Sequence, residues 1–243
     1  MKAILIAATC VLCVACSKSE DKPAEAKTPE AVQPAPQATA QPQQTPATPA
    51  ANASPLTRSA DGVTYENDYM GLSIAKPEGW YAQPAEETMK MSQRGTDMVA
   101  GDDKMLKAML DASLKSSLPL FSFFEAPPGT PGKQIASLVG VAENISALPG
   151  IKSGCDYLSH VGQMLKSAAP QFSVSDTCKT ERIQGNTFGV LEVTAKQAGI
   201  LMTQHYYACR KGEHAVAMVG TSYDAAGATK LGQVLQTLKV KCG

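Results

Sequence analysis

The reactive side chains of this 243-residue chain are mostly thiols, seven cysteines against three histidines. Cys10, Cys13 and Cys16 lie at the very start, while Cys155, Cys178, Cys209 and Cys242 are spread over the C-terminal part. A thiol can be alkylated, oxidised to a disulfide or bound to a metal, and spacing helps to decide which. The later four contain no CxxC pair, which argues against a redox dithiol or a thiolate metal site. Their even number suits two disulfides in an oxidising compartment. His160, His205 and His214 are dispersed, without an acidic pattern beside them, and read as separate polar positions. Met89, Met91, Met98, Met105 and Met109 are dense enough to suggest a thioether Cu(I) site. Met105 and Met109, however, fall on a helical stripe and are expected in the core, which leaves three methionines in a polar segment. Glu192 is a lone carboxylate in a predicted strand, and alternation alone does not say whether it faces solvent or core. HExxH, GxSxG and Walker patterns do not occur. Pro127 to Gln134 echoes a phosphate loop, but its glycine spacing is wrong and a strand follows it, so it reads as a turn. The expectation is no catalytic residue, no metal and no cofactor.

The N-terminal cysteines have a different setting. Met1 and Lys2 give a short positive start, followed by an apolar run from Ala3 to Val14 that is too short to span a bilayer, as in a signal peptide. The run ends in Cys13-Val14-Ala15-Cys16 and turns abruptly polar at Ser17-Lys18-Ser19. A small residue directly before a cysteine resembles the lipobox of bacterial lipoproteins, although Cys13 stands where that family prefers leucine. The resemblance implies removal of residues 1–15, with Cys16 as the diacylglycerol-modified and N-acylated first residue. Several acyl chains anchor stably where one does not. Ser17 in place of aspartate implies, in a Gram-negative host, the outer membrane facing the periplasm.

From residue 16 to 58 the chain is rich in Ala, Pro, Gln, Thr and Glu and nearly free of large apolar side chains. Such a segment cannot repay its ordering entropy, so it is expected to be a disordered tether. Residues 59–243 remain for one globular domain. Lysine and arginine total 22, as do aspartate and glutamate, with both signs interspersed. Nucleic acid is therefore not an expected partner.

In that domain Val63–Asn67 and Gly71–Ala75 alternate as two short strands, and Pro77-Glu78-Gly79 forces a turn into Trp80. The apolar spacing predicts a helix from Asp102 to Ser117 and another from Gly154 to Ser167. Leu118–Glu125 and Ile135–Asn144 read as strands. Four consecutive strands follow, Phe172–Ile183, Phe188–Lys196, Leu201–Arg210 and Ala215–Tyr223, with short glycine-containing links that dictate an antiparallel meander. A helix from Asp224 to Val240 closes the chain. These elements define an α+β fold, a mostly antiparallel sheet packed by helices.

The opening Tyr65-Glu66-Asn67, Gly71-Leu72-Ser73-Ile74 and Pro77-Glu78-Gly79-Trp80 resembles the start of PsbP-like domains. The ending, with Tyr206-Tyr207, Ala215 to Thr221 and a helix finishing in Leu238, resembles theirs too. The resemblance implies an α/β/α sandwich and carries no catalytic residue across, because its members share a fold without one chemistry. Four cysteines allow three pairings. In the fold sketch, Cys155 begins a helix whose following strand brings Cys178 back beside it. Cys242 ends the helix that returns toward Cys209. Cys155 with Cys178 and Cys209 with Cys242 are therefore the expected disulfides. The reading as a whole is a membrane-anchored extracytoplasmic lipoprotein. It acts as a non-enzymatic accessory or protein-binding module of the envelope, attached to the bilayer through acylated Cys16. The alternative is a module that binds a small ligand or metal ion.

Overall fold

The computed structural model describes residues 57–58, 63–197 and 199–243. The predicted signal peptide, Cys16 and all of the predicted tether except Thr57 and Arg58 lie outside them. Those two residues form β1 (Thr57–Arg58), paired with β2 (Thr64–Asn67), which pairs in turn with β3 (Leu72–Ala75). The ordered sheet thus begins two residues inside the segment assigned to the tether, and the two predicted opening strands belong to a small sheet of their own.

The main sheet is antiparallel throughout. In chain order its strands are β4 (Tyr81–Ala82), β5 (Ser117–Phe124), β6 (Ser137–Asn144), β7 (Phe172–Val174), β8 (Lys179–Ile183), β9 (Asn186–Gln197), β10 (Ile200–Lys211) and β11 (His214–Ser222). Across the sheet they run β4-β5-β6-β11-β10-β9, with β7 and β8 both on the outer side of β9. Gly199 and Gly212 take φ values of 82° and 59°, which the tight links of this meander require. The predicted strand Phe172–Ile183 is broken in two around Ser175-Asp176-Thr177. Both pieces keep register with β9, with Phe172 opposite Ala195 and Lys179 opposite Val190.

Four helices complete the described fold: α1 (Ala85–Ala100), α2 (Lys104–Ser116), α3 (Gly154–Ala168) and α4 (Ala225–Leu235). α3 begins in a capping box, in which Ser153 and Asp156 each satisfy the other's backbone N–H. Its buried stripe, Tyr157, Leu158, Val161 and Leu165, lies on one face of the sheet against Leu191, Val193, Tyr206 and Val219. α4 buries Leu231, Val234 and Leu235 on the opposite face, with Leu138, Val216 and Met218, and Leu72 and Ile74 of the small sheet join that core. The α4 helix stops at Leu235, short of the predicted Val240. The residues after it form turns and an antiparallel bridge between Lys239 and Ser73.

α1 was not expected. Its inward face is Thr88, Ser92, Gly95, Thr96 and Ala100, spaced as a helix demands but made of small and polar side chains. Thr88 hydrogen-bonds Ser122 of β5 at 2.9 Å, so the first polar group of the stripe is satisfied where it is buried. α2 packs antiparallel to α1 and is capped by Asp103, which accepts from the backbone N–H groups of Met105 and Leu106. Met105 is 77% exposed, against its expected place in the core.

At the start of α3 the backbones of helix and sheet touch. A Cβ on Gly154 would lie 1.8 Å from the carbonyl oxygen of Ala208, and one on Gly189 would lie 2.6 Å from the nitrogen of Cys155. Only glycine fits at either position.

Candidate functional site

Each strand of an antiparallel sheet sends alternate side chains to opposite faces. On the α3 face, β9 and β10 bury Leu191, Val193, Gln204, Tyr206 and Ala208. On the other face Ile183 of β8, Phe188 and Val190 of β9 and Cys209 of β10 are buried, most of them in the core beneath α4. This leaves open the part of β9 and β10 nearer their shared turn and the exposed side chains of β8. Glu192, Thr194, Thr203, His205 and Tyr207 point there, with Lys179 and Glu181 from β8. Glu192 therefore faces solvent.

Register sets the arrangement of this surface. Glu192 stands opposite His205, and the carboxylate Oε2 is 3.4 Å from the imidazole Nε2. Tyr207, two residues along β10, tilts its ring toward His205 with centroids 6.3 Å apart. Tyr207 is half-buried, and burial followed by the nearby Glu181 carboxylate pushes its phenol up to about 12. It thus stays a neutral donor over the whole physiological range. Threonines Thr194 and Thr203, paired with each other, extend the patch toward the β9–β10 turn. The surface offers a phenol, an imidazole, carboxylates and hydroxyls on a hydrogen-bonded sheet. Groups so spread can recognise a polypeptide through many contacts.

Two cavities lie elsewhere. A crevice of about 10 Å³ between α1, α2 and α3 is lined by Gly95, Thr96, Leu110, Met164 and Ala168, room for little more than one water. An open depression of about 250 Å³ at Glu125, Lys133 and Gln134 sits on the Pro127–Gly132 turn segment.

The other sequence candidates are dispersed. Among the described residues, no three His, Cys, Asp or Glu side chains are grouped for a metal ion. His160 is on α3, on the far side of the sheet from His205, and the His214 ring packs edge-on against Tyr69 at 5.8 Å. Met91 leans on Phe124, whereas Met98 is 58% exposed. Cys155 is bonded to Cys178 and Cys209 to Cys242, with Cα separations of 5.6 and 6.0 Å. Disulfides of this kind belong to an oxidising compartment.

Sequence reasoning missed a buried polar group. Glu143, near the end of β6, is 1% exposed. Tyr157 of α3 donates to its Oε2 at 2.8 Å, and Ser113 of α2 donates to Oε1 at 3.4 Å. Burial, then the adjacent carboxylate, holds the Tyr157 phenol well above its ordinary range. Further along the same face Tyr206 donates to Gln204, which donates to Thr221. This group ties α2 and α3 to the sheet and is closed to solvent, which makes it structural. A glutamate within an otherwise apolar strand was the available signal.

The site and the layers around it define an antiparallel α+β sandwich with one sheet face partly open. No protein-family model matches the chain, and no curated protein is similar to it. Among solved structures it is similar to cyanobacterial PsbP (CyanoP) from Synechocystis sp. PCC 6803, with a TM-score of 0.46 and 9% identity over 73% of this chain and 91% of that one. It is also similar to LpqN, involved in cell envelope biogenesis of Mycobacterium tuberculosis, with a TM-score of 0.40 and 12% identity over 70% and 83% of the two chains. A protein of unknown function from Pseudomonas aeruginosa, PA94, gives 0.38 and 15% over 52% and 83%. No residue role is transferred from these likenesses.

Proposed function

We propose that the chain is a lipid-anchored, non-enzymatic accessory protein of the bacterial envelope that holds a protein partner on the open face of β8, β9 and β10. The observation that carries the reading is the group Glu192, His205 and Tyr207, three recognition-type side chains on the part of the sheet that α4 leaves uncovered, with Tyr207 seated at the edge of the core. The lipobox resemblance at Cys16 and two disulfides support an extracytoplasmic place. A half-buried tyrosine amid polar groups is the composition of an interface anchor. Crosslinking in intact cells followed by pull-down tests the proposal. Wild-type protein should capture a defined partner, and Tyr207→Ala with His205→Ala should lose it at unchanged abundance. Capture unaffected by both changes, or no crosslinked species at all, would refute it.

A further inference from the structure

The β9–β10 hairpin overhangs its neighbours. β7 reaches only Ala195, and β11 ends at Ser222 opposite Thr203. Beyond them, among the described residues, the two strands pair only with each other, with Lys196 opposite Leu201 and Gln197 opposite Ile200. The sequence from 198 to 202 reads Ala-Gly-Ile-Leu-Met. Ile200 and Leu201 are 38% and 48% exposed.

Met98 and Met105 lie at the same end. Val99 shares its crevice with Met164 and Ala168 at the close of α3. The next residue, Ala169, accepts a hydrogen bond from the Phe172 N–H at 3.0 Å, and Phe172 pairs with Ala195 at the base of the overhang. Four of the six strongly exposed large apolar side chains in the described residues, Met98, Met105, Ile200 and Leu201, thus occupy one end of the molecule.

We propose that this end rests on a lipid surface, with the hairpin tip inserted at the headgroup boundary. A projecting apolar tip needs no complementary pocket in a bilayer, whereas a protein partner would have to supply one. Lys196 faces Leu201 across the tip and can extend its ammonium to the headgroups along its apolar stem. Lys104 and Lys107 at this end are balanced by Asp97, Asp102 and Asp103, so the contact is apolar rather than electrostatic. Burying two branched aliphatic side chains supports a dissociation constant on the order of millimolar. That is negligible for a free domain, but it matches the millimolar effective concentration that a tether provides. The inference rests on the envelope-anchored reading in this respect.

The place where the chain joins the fold bears on the orientation. Thr57 pairs with Glu66, beside the turn whose Tyr69 meets His214. This is the opposite end of β10, about 40 Å from the tip at roughly 3.4 Å per residue. About 40 residues at roughly 3.1 Å each are long enough to cover that distance. With the tip on the membrane, the open sheet face stands upright and free.

The test uses the chain from Ser17 onward with an N-terminal histidine tag, bound to zwitterionic vesicles through a chelator lipid. Leu201→Trp places a reporter at the tip, and wild type supplies the background from buried Trp80. On vesicles containing brominated lipid, the tip signal should shift to the blue and be quenched roughly twofold, the depth expected of an interfacial insertion. The Trp80 signal should stay unchanged. An unshifted, unquenched tip on tethered protein overturns the proposal. So does a blue shift without bromine quenching, which would mean that protein, such as a second copy, covers the tip. Because the chelator replaces acylation, failure here leaves the Cys16 anchor standing, and that anchor has its own test by fractionation.

Discussion

Gly154 and Gly189 show how much a single side chain decides in this fold. A methyl at Gly154 would collide with the main chain at Ala208, and main chain cannot swing aside as a flexible side chain can. Gly154→Ala should therefore cost at least the upper part of the roughly 1–3 kcal/mol overpacking range, measured by urea unfolding. Tyr157→Phe removes one donor to buried Glu143 and should cost about 1–3 kcal/mol in the same assay. The tyrosines also set an alkaline limit. Tyr207 holds its proton to about 12, against 10.0 for an ordinary phenol. The folded state binds that proton more tightly, so the stabilisation is complete below pH 10.0 and fades as pH rises toward 12. A phenolate absorbance titration of wild type against Tyr207→Phe should show the missing group titrating near 12, later than an ordinary phenol. Glu181→Gln should lower its midpoint only in part, because burial is the larger cause. At this scale the sequence was least informative. Alternation places Glu192 and Glu143 on strands but not on a face, and the phase came only from pairing register.

Among the elements, those with large apolar stripes or glycine turns were legible. The meander from β8 to β11 was readable because its links are too short for any crossover, apart from the break that made β7 and β8 out of one expected strand. α3 was readable from Tyr157, Leu158, Val161 and Leu165. α1 was not, because Thr88, Ser92, Gly95 and Thr96 bury a helical face without hydrophobic periodicity. The end of α4 was overrun because Leu238 and Val240 continue an apolar pattern. They are buried after the helix has stopped. That C-terminal segment works as a strap. It bridges Ser73 through Lys239, receives the Asn186 side chain at the Val240 carbonyl at 2.9 Å, and is fixed by Cys209–Cys242. Replacing both of these cysteines by serine should cost about 2–4 kcal/mol. Hydrogen exchange should rise first in Leu72–Ala75, which the strap holds, before it rises in β10 or β11.

For the molecule as a whole, the α+β class and the two-sided packing followed from the order of elements, whereas the separate β1–β3 sheet did not. Nothing in the sequence marks those strands as unable to join the larger sheet. Cys16→Ser should move the protein from the membrane to the soluble fraction and stop lipoprotein processing, as read by fractionation and intact mass. Unchanged fractionation would remove the anchor. The middle of the main sheet has a further bearing on how the chain matures. β6 finds its partner in β11, some eighty residues later, with Val139 opposite Val219. A polypeptide emerging from ribosome or translocon amino end first therefore carries the β5–β6 hairpin, α1, α2 and α3 with no sheet centre to close on. Its newly made apolar strands have an unmated edge until nearly the last residues appear. Closure is late and nonlocal, the situation in which folding is slow and a holding chaperone does most good. Chains cut before His214 should accumulate as aggregates or be degraded rather than persist as a smaller folded unit.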